Sequence, residues 1–263
     1  MTVVAGGSTE WRGRSVISKV VALLDAFTPA TPELSLGELA RITGLPLSTT
    51  YRLASELVTW GGLERAAGGT GYRVGIHLWE LGALAARSSP LREVALPYMQ
   101  DLYEATHENV HLAVRDGHEA LYVDTISGRG AVTVRSRRGG RLPLHATGVG
   151  KVLLAFGPEA LLGEVVDAGL RRYTRHTVIA PGHLARALAA VRRTGTASAD
   201  EEMTLGSASV ASPIFDGDGA CIAALAVVSR TGRGRLLRLA PAVRTAALSI
   251  SRTLRAQAGH GAA

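Results

Sequence analysis

Residues 35–63, SLGELARITGLPLSTTYRLASELVTWGGL, constrain the fold of this chain more than any other stretch, because they read as two short helices joined by a tight turn. Ser35 and Glu38 stand at capping-box spacing, so each side chain can satisfy an orphan N–H at the start of the first helix. Leu36, Leu39 and Ala40 recur on one face of that helix, and the small Ala40 lets a second helix cross closely. Gly44 supplies the left-handed geometry that ends it. Pro46 fits the first turn of the next helix, where a missing N–H costs nothing. Thr50, Leu53, Ala54 and Leu57 then recur at i, i+3, i+4 and i+7 and should face the core.

That burial leaves Leu47, Ser48, Thr49, Tyr51, Arg52 and Ser55 pointing outward. Small hydroxyls, an aromatic ring and an arginine at the N-terminal end of such a helix suit base edges and phosphates in a major groove. An ordinary helical hairpin with a polar outer face fits the same residues. The residues just beyond sharpen the reading: Gly61–Gly62 ends the helix, residues 63–66 can form a strand, 68–71 a turn and 72–74 a returning strand. That is a wing, with Arg65 and Arg73 expected beside its tip in reach of phosphate or the minor groove.

The chain has 263 residues, enough for two domains with separate cores. No apolar run approaches the roughly 18 residues of a membrane span, and the N-terminus lacks a charged segment followed by an apolar one, so a cytoplasmic protein is expected. Its single cysteine, Cys221, excludes an intramolecular disulfide and a multi-cysteine metal site within one chain. The formal charge of +7 is not spread evenly: residues 1–86 hold seven basic and seven acidic side chains, so the excess belongs to the later part. Placement rather than total charge supports nucleic-acid binding here, since the cations of the first domain gather at the N-terminal arm, the second helix and the wing.

Residues 1–14 read as a disordered arm in which Arg12 and Arg14 can touch a DNA backbone, although a solvated tail is the default for such a segment. Residues 16–27 form an amphipathic helix, and 28–34, with two prolines, a loop; the winged domain spans 15–74. Residues 75–89 form a linker helix whose broad apolar coverage seeks a partner, either a second copy of the chain or its own chain. The remaining residues, 90–263, mix a helix over 91–107, a hairpin about Asp116–Gly117, a short strand over 132–135, helices over 147–156, 158–170 and 183–194, a strand from 197, a second hairpin about residues 216–219 and a closing helix over 236–257. Strand pairs mixed with helices make an α+β domain with an antiparallel sheet.

Chemistry in this second domain centres on residues 141–151, RLPLHATGVGK. Thr147 can cap a helix opening at Gly148, leaving the N–H groups of Gly148, Val149 and Gly150 and the positive end of the helix dipole for a carboxylate. Alternatively the threonine merely caps and the glycines allow close packing. The GVGK string lacks the upstream glycine and the following Ser or Thr of a phosphate loop. Asp200, Glu201 and Glu202 have no fixed histidine partner and suit a solvated or salt-bridging turn better than acid–base catalysis. His107 and His111 stand four apart, but a helix break between them removes a metal-ligand reading. Cys221 suits a core position better than a nucleophile, and Arg135, Arg137, Arg138 and Arg141 form a basic cluster open to a subunit contact, an anionic partner or solvent. Neither a metal nor a cofactor is implied.

From residue 16 to 254 the chain resembles the IclR (isocitrate-lyase-regulator) family of bacterial transcription factors. The resemblance rests on LSLGELARITGLPLSTTYRL, YRVGIHLWELG, LREVALPYMQDL, VHLAVRDG, LPLHATGVGKVLLA and DEEMTLGSASVASPIFDGDG. It implies an N-terminal winged helix-turn-helix, a dimerising linker helix and a GAF-like effector domain, in a homodimer or dimer of dimers that binds a near-palindromic DNA operator and a small metabolite. Carried over by position, the effector pocket involves Leu142, Gly148, Val149, Asp200, Ser209, Ala226 and Val228, with Thr147 as the helix cap. Other members often carry two acids before the glutamate pair, where this chain has Ala199–Asp200, and hydroxyls where Ala226 and Val228 stand. These differences imply a more apolar pocket, suited to an effector with an aromatic or alkyl body and its carboxylate at Gly148. The favoured function is a ligand-responsive repressor; an activator and an effector-independent DNA binder are the alternatives, and an enzyme would need a nucleophile–base pair or metal set that the sequence does not present.

Overall fold

Ser15 accepts a hydrogen bond from the Ser18 N–H and so opens α1, Val16–Asp25. The computed structural model describes residues 15–28, 30–84, 89–128, 131–232 and 234–260; the arm at 1–14, with Arg12 and Arg14, lies outside them. The chain divides into a unit of residues 1–86 and a unit of 87–263.

In the first unit, β1 (Glu33–Ser35) leads into α2 (Leu36–Thr43), followed by α3 (Leu47–Trp60), β2 (Leu63–Arg65), β3 (Gly71–Val74) and α4 (Ile76–Ala83). The capping box forms in both directions: Glu38 N–H donates to Ser35 Oγ at 3.3 Å, and Ser35 N–H donates to Glu38 Oε2 at 2.8 Å. Gly44 ends α2 at φ 70°. Pro46 sits one step before the expected position, as the extended residue that caps α3. Leu39, Leu53, Ala54 and Leu57 close over Leu23, Leu63 and Tyr72 in one apolar core. Burying each such leucine contributes roughly 1.5–3 kcal/mol. One segment departs from expectation: residues 33–34, read as the end of a loop, and the helix cap Ser35 pair antiparallel with β3, so the wing sheet has three strands in the order β1-β3-β2. Three residues carry too little periodicity to announce a strand; the pairing comes from β3 lying alongside.

In the second unit, α5 (Ser89–Thr106) precedes β4 (Asn109–Asp116), β5 (Glu119–Ile126) and β6 (Arg141–Pro143). Then come α6 (Gly148–Ala155), α7 (Leu161–Asp167), α8 (Pro181–Thr194), β7 (Ala197–Asp200), β8 (Ser207–Phe215), β9 (Cys221–Arg230) and α9 (Arg235–His260). The strands form one antiparallel sheet in the order β6-β5-β4-β9-β8-β7. Alternation along β9 divides its side chains between two cores. Leu225 and Val227 pack with Met99, Val243 and Ile250 of α5 and α9. Ala224 and Ala226 face Val149, Val152 and Leu153 of α6. Alanines at 113, 211, 224 and 226 keep that second face shallow, so α6 lies close to the sheet and is buried along its whole length. The result is an α+β fold. Among the described residues no helix is long and apolar enough to cross a membrane.

The expected strand over 132–135 does not form: Asn109 Nδ2 donates to the Val132 carbonyl at 2.8 Å, taking an acceptor a ladder would need. The helix expected over 158–170 shortens to α7.

Candidate functional site

In the first unit, α3 buries Thr50, Leu53, Ala54 and Leu57 and presents Leu47, Ser48, Tyr51 and Arg52 to solvent, with Thr49 and Ser55 half-buried between them. Arg52 Nη1 donates to Glu56 Oε1 at 2.9 Å, one turn along the exposed face. On the wing, the exposed Arg65 stacks its guanidinium on the Tyr72 ring, with Cζ 4.2 Å from the ring centroid, a cation–π contact. Arg73 differs from expectation. It stands opposite Glu64 rather than at the tip and is held by it at 2.8 Å. The second oxygen of Glu64 accepts the Ile76 N–H at 3.0 Å. That bond first, and Arg73 second, holds the Glu64 carboxyl below the usual carboxylate range. Arg73 is therefore already engaged by an acid, while Arg65 has no carboxylate partner among the described residues.

The second unit contains a half-open pocket at the N-terminal end of α6, enclosing about 460 Å³ of non-atom space with the open solvent at its mouth included. Strand register builds its floor. Ala199, Ser209 and Val228 stand directly opposite one another on β7, β8 and β9, and Ala226 opposes His111 on β4. Leu142, Thr147, Gly148 and Val149 form one wall, and Tyr122 meets His111 edge-on at 5.4 Å. The remainder comes from two irregular segments carrying Val134, Arg135 and Ser136, and Glu202, Met203 and Thr204. The structure thus brings together seven of the residues read from sequence: Leu142, Thr147, Gly148, Val149, Ser209, Ala226 and Val228.

Asp200 is the exception. In β7 the alternation places Ala197 and Ala199 inward and Ser198 and Asp200 outward, so Ala199 occupies the cavity position. Asp200 instead accepts a hydrogen bond from Thr231 Oγ1 at 2.6 Å. The string ASAD carries that alternation, which carry-over by position ignored.

Local geometry at α6 resolves the roles of its glycines. Thr147 Oγ1 accepts the Gly150 N–H at 3.1 Å, so that donor is not available to a ligand. The N–H groups of Gly148 and Val149 have no hydrogen-bond acceptor among the described residues and lie at the positive end of the helix dipole. A Cβ on Gly150 would come within 2.5 Å of the Leu144 backbone, and one on Gly148 within 2.7 Å of Ser209 Oγ. Both glycines are therefore needed for close packing, whatever else Gly148 does.

The electrostatics of the cavity are mixed. Burial lowers the pKa of His111 from its ordinary 6.5 to about 4, so at neutral pH the ring is uncharged; its Nε2 lies 3.1 Å from Ser136 Oγ. Burial likewise pushes the Tyr122 phenol up. Of the basic cluster, Arg138 binds Asp124 at 2.5 Å and Arg141 binds Asp116 at 2.6 Å, whereas Arg135 lines the cavity with no ion-pair partner among the described residues. The acidic triplet scatters to three places. Beyond Asp200, Glu201 Oε1 accepts the Gly206 N–H at 2.7 Å, and Glu202 Oε1 accepts from Lys151 Nζ at 2.5 Å. Sequence reasoning missed the Lys151–Glu202 pair and the cavity residues His111 and Tyr122, because nothing local links positions so far apart. Cys221 packs against the core, and burial raises its thiol to about 12, too high for a thiolate nucleophile at neutral pH.

A winged helix with a polar outward helix, joined to a unit with a part-polar cavity, is the build of a DNA-binding transcriptional regulator. Residues 16–67 match the IclR helix-turn-helix domain and residues 83–252 the C-terminal domain of bacterial IclR transcriptional regulators. The chain belongs to the IclR family. It is 31% identical to the HTH-type transcriptional regulator XynR of Escherichia coli, over 90% of this chain and 96% of that protein. It is 32% identical to the HTH-type regulator KipR of Bacillus subtilis over the same shares. Among solved structures, an IclR homolog from Microbacterium hydrocarbonoxydans complexed with 4-hydroxybenzoate superposes with a TM-score of 0.87 at 34% identity, covering 92% of this chain and all of that one.

Proposed function

We propose that this protein is a cytoplasmic, effector-responsive repressor that binds a near-palindromic operator as a homodimer or dimer of dimers. On this reading α3 reads base edges through Ser48, Thr49 and Tyr51, while Arg52, Arg65, Arg73 and the arm residue Arg14 bind phosphate. The linker helix α4 is the dimer contact: Ile76 and Trp79 on it and Leu84 at its C-terminal cap are 61%, 69% and 77% exposed, more apolar surface than a short helix leaves in water unpaired. Two-fold symmetry of such a contact matches the symmetry of a palindromic site.

The effector is an organic acid with an aromatic or alkyl body. The observation that carries this is the pairing of Gly148 and Val149 N–H groups and an Arg135 that have no partner among the described residues with the apolar side chains of Ala199, Ala226 and Val228 on the floor. The 4-hydroxybenzoate bound by the Microbacterium homolog is a compound of this class. An effector acts by binding more tightly to one of two arrangements of the protein, so its affinity for free and DNA-bound protein must differ.

The test is a footprint on DNA upstream of the gene and its divergent neighbour, repeated with organic acids and with Arg52→Ala. A protected near-palindrome, weakened by Arg52→Ala and released by one class of acid, is expected. Protection that no compound alters removes the effector part of the reading, and no protection by a folded dimer removes the regulator itself.

A further inference from the structure

Glu202 is a buried acid whose charge is balanced but whose hydrogen bonding is not. Its side chain is 9% exposed and lines the cavity, and its Oε1 is bound by the equally buried Lys151 Nζ. Lys151 Nζ donates a further hydrogen bond to the Ser198 carbonyl at 3.1 Å. The second carboxylate oxygen, Oε2, is buried and has no hydrogen-bond partner among the described residues. Nearby hydroxyls are committed elsewhere. Ser207 Oγ donates to the Thr204 carbonyl at 2.8 Å, and Thr177 Oγ1 to the Glu202 carbonyl at 2.7 Å. Thr174 Oγ1 donates to the Glu201 carbonyl at 2.6 Å. None of them donates to Glu202 Oε2. A carboxylate oxygen only accepts, and a buried acceptor without a donor is costly.

We infer that Glu202 is a specificity-determining residue of the cavity, its second oxygen accepting a hydrogen bond from the effector. Resting on the organic-acid reading of the same cavity, this makes the effector an acid that also bears a hydroxyl or amino donor on its body. The acid group goes to Arg135 and the α6 N-terminus, since Glu202 repels it, and the donor goes to Glu202. The same acid without the donor leaves Oε2 bare and binds worse by at least about tenfold.

Titration calorimetry on the full chain tests this with benzoate, 4-hydroxybenzoate, 4-aminobenzoate and 4-fluorobenzoate, and with hexanoate against 6-hydroxyhexanoate. The hydroxy and amino acids are expected to bind at least about tenfold tighter than their unsubstituted parents, with 4-fluorobenzoate, which has no donor, grouping with benzoate. In the double variant Lys151→Met/Glu202→Met, which removes the pair together, the ratio within each pair falls to near one. Equal affinities within the pairs, a fluoro compound as tight as the hydroxy compound, or a ratio that survives the double variant overturns the role of Glu202 while leaving the organic-acid reading intact. Failure of every acid to bind overturns that reading and this inference with it. Should the double variant fail to fold, the donor series on the unaltered protein decides alone.

Discussion

Gly148 and Ser209 meet across the junction of α6 and the sheet so closely that a single methyl group on the glycine would stand 2.7 Å from Ser209 Oγ, and 3.4 Å from Ala211 Cβ. Two effects compete in Gly148→Ala. The loss of unfolded-state entropy stabilises by about 0.4–1 kcal/mol, and overpacking against the sheet costs about 1–3 kcal/mol. The clash should win, so urea unfolding is expected to show a net loss. In a Ser209→Ala background the same change should become neutral or stabilising, and a cycle with no coupling between the two sites would contradict this geometry.

The Lys151–Glu202 pair gives a second asymmetry. Both partners are more than nine-tenths buried, so Lys151→Met alone, which strands the carboxylate, should cost roughly 3–5 kcal/mol. Replacing both with methionine should recover most of that loss. Denaturant midpoints of the two singles and the double measure it.

His111 makes stability fall in acid. Its folded pKa of about 4 lies below its ordinary 6.5, so between these values the unfolded state binds more protons than the folded one. Its effect is therefore absent above pH 6.5, grows as the pH falls, and levels off below about 4 with a loss of up to about 3 kcal/mol. Unfolding free energies of the parent and His111→Gln, compared at pH 7.5 and 5, should differ in pH dependence in that direction; parallel profiles would show that the ring is not held neutral.

On DNA the arginines should rank by how free they are. Arg65→Ala should weaken binding more than Arg73→Ala, because Arg73 is already engaged by Glu64. Each arginine that touches phosphate should lower the slope of log affinity against log salt by about 1 when removed. Glu56→Gln, which frees Arg52, should tighten binding. Fluorescence anisotropy across a salt series reads all three.

The helix-turn-helix was legible because everything that defines it is local. Ser35 and Glu38 lie three apart, the core positions of α3 repeat within two turns, and Gly44 and Gly61 end helices by their own backbone freedom. The hairpins about residues 117 and 217 were legible for the same reason, and so was the small-residue opening of α6. Even the outward turn of Asp200 stood in the alternation of ASAD. Tertiary structure alone decided the rest. That β1 joins the wing, that Ala226 lies opposite His111, that Asp124 is shared by Arg92 and Arg138, and that Lys151 reaches Glu202 are matters of register and packing between segments far apart in the chain. Short-range spacing specifies which faces are apolar; only the closing of those faces on one another specifies which polar groups are trapped inside, and with whom.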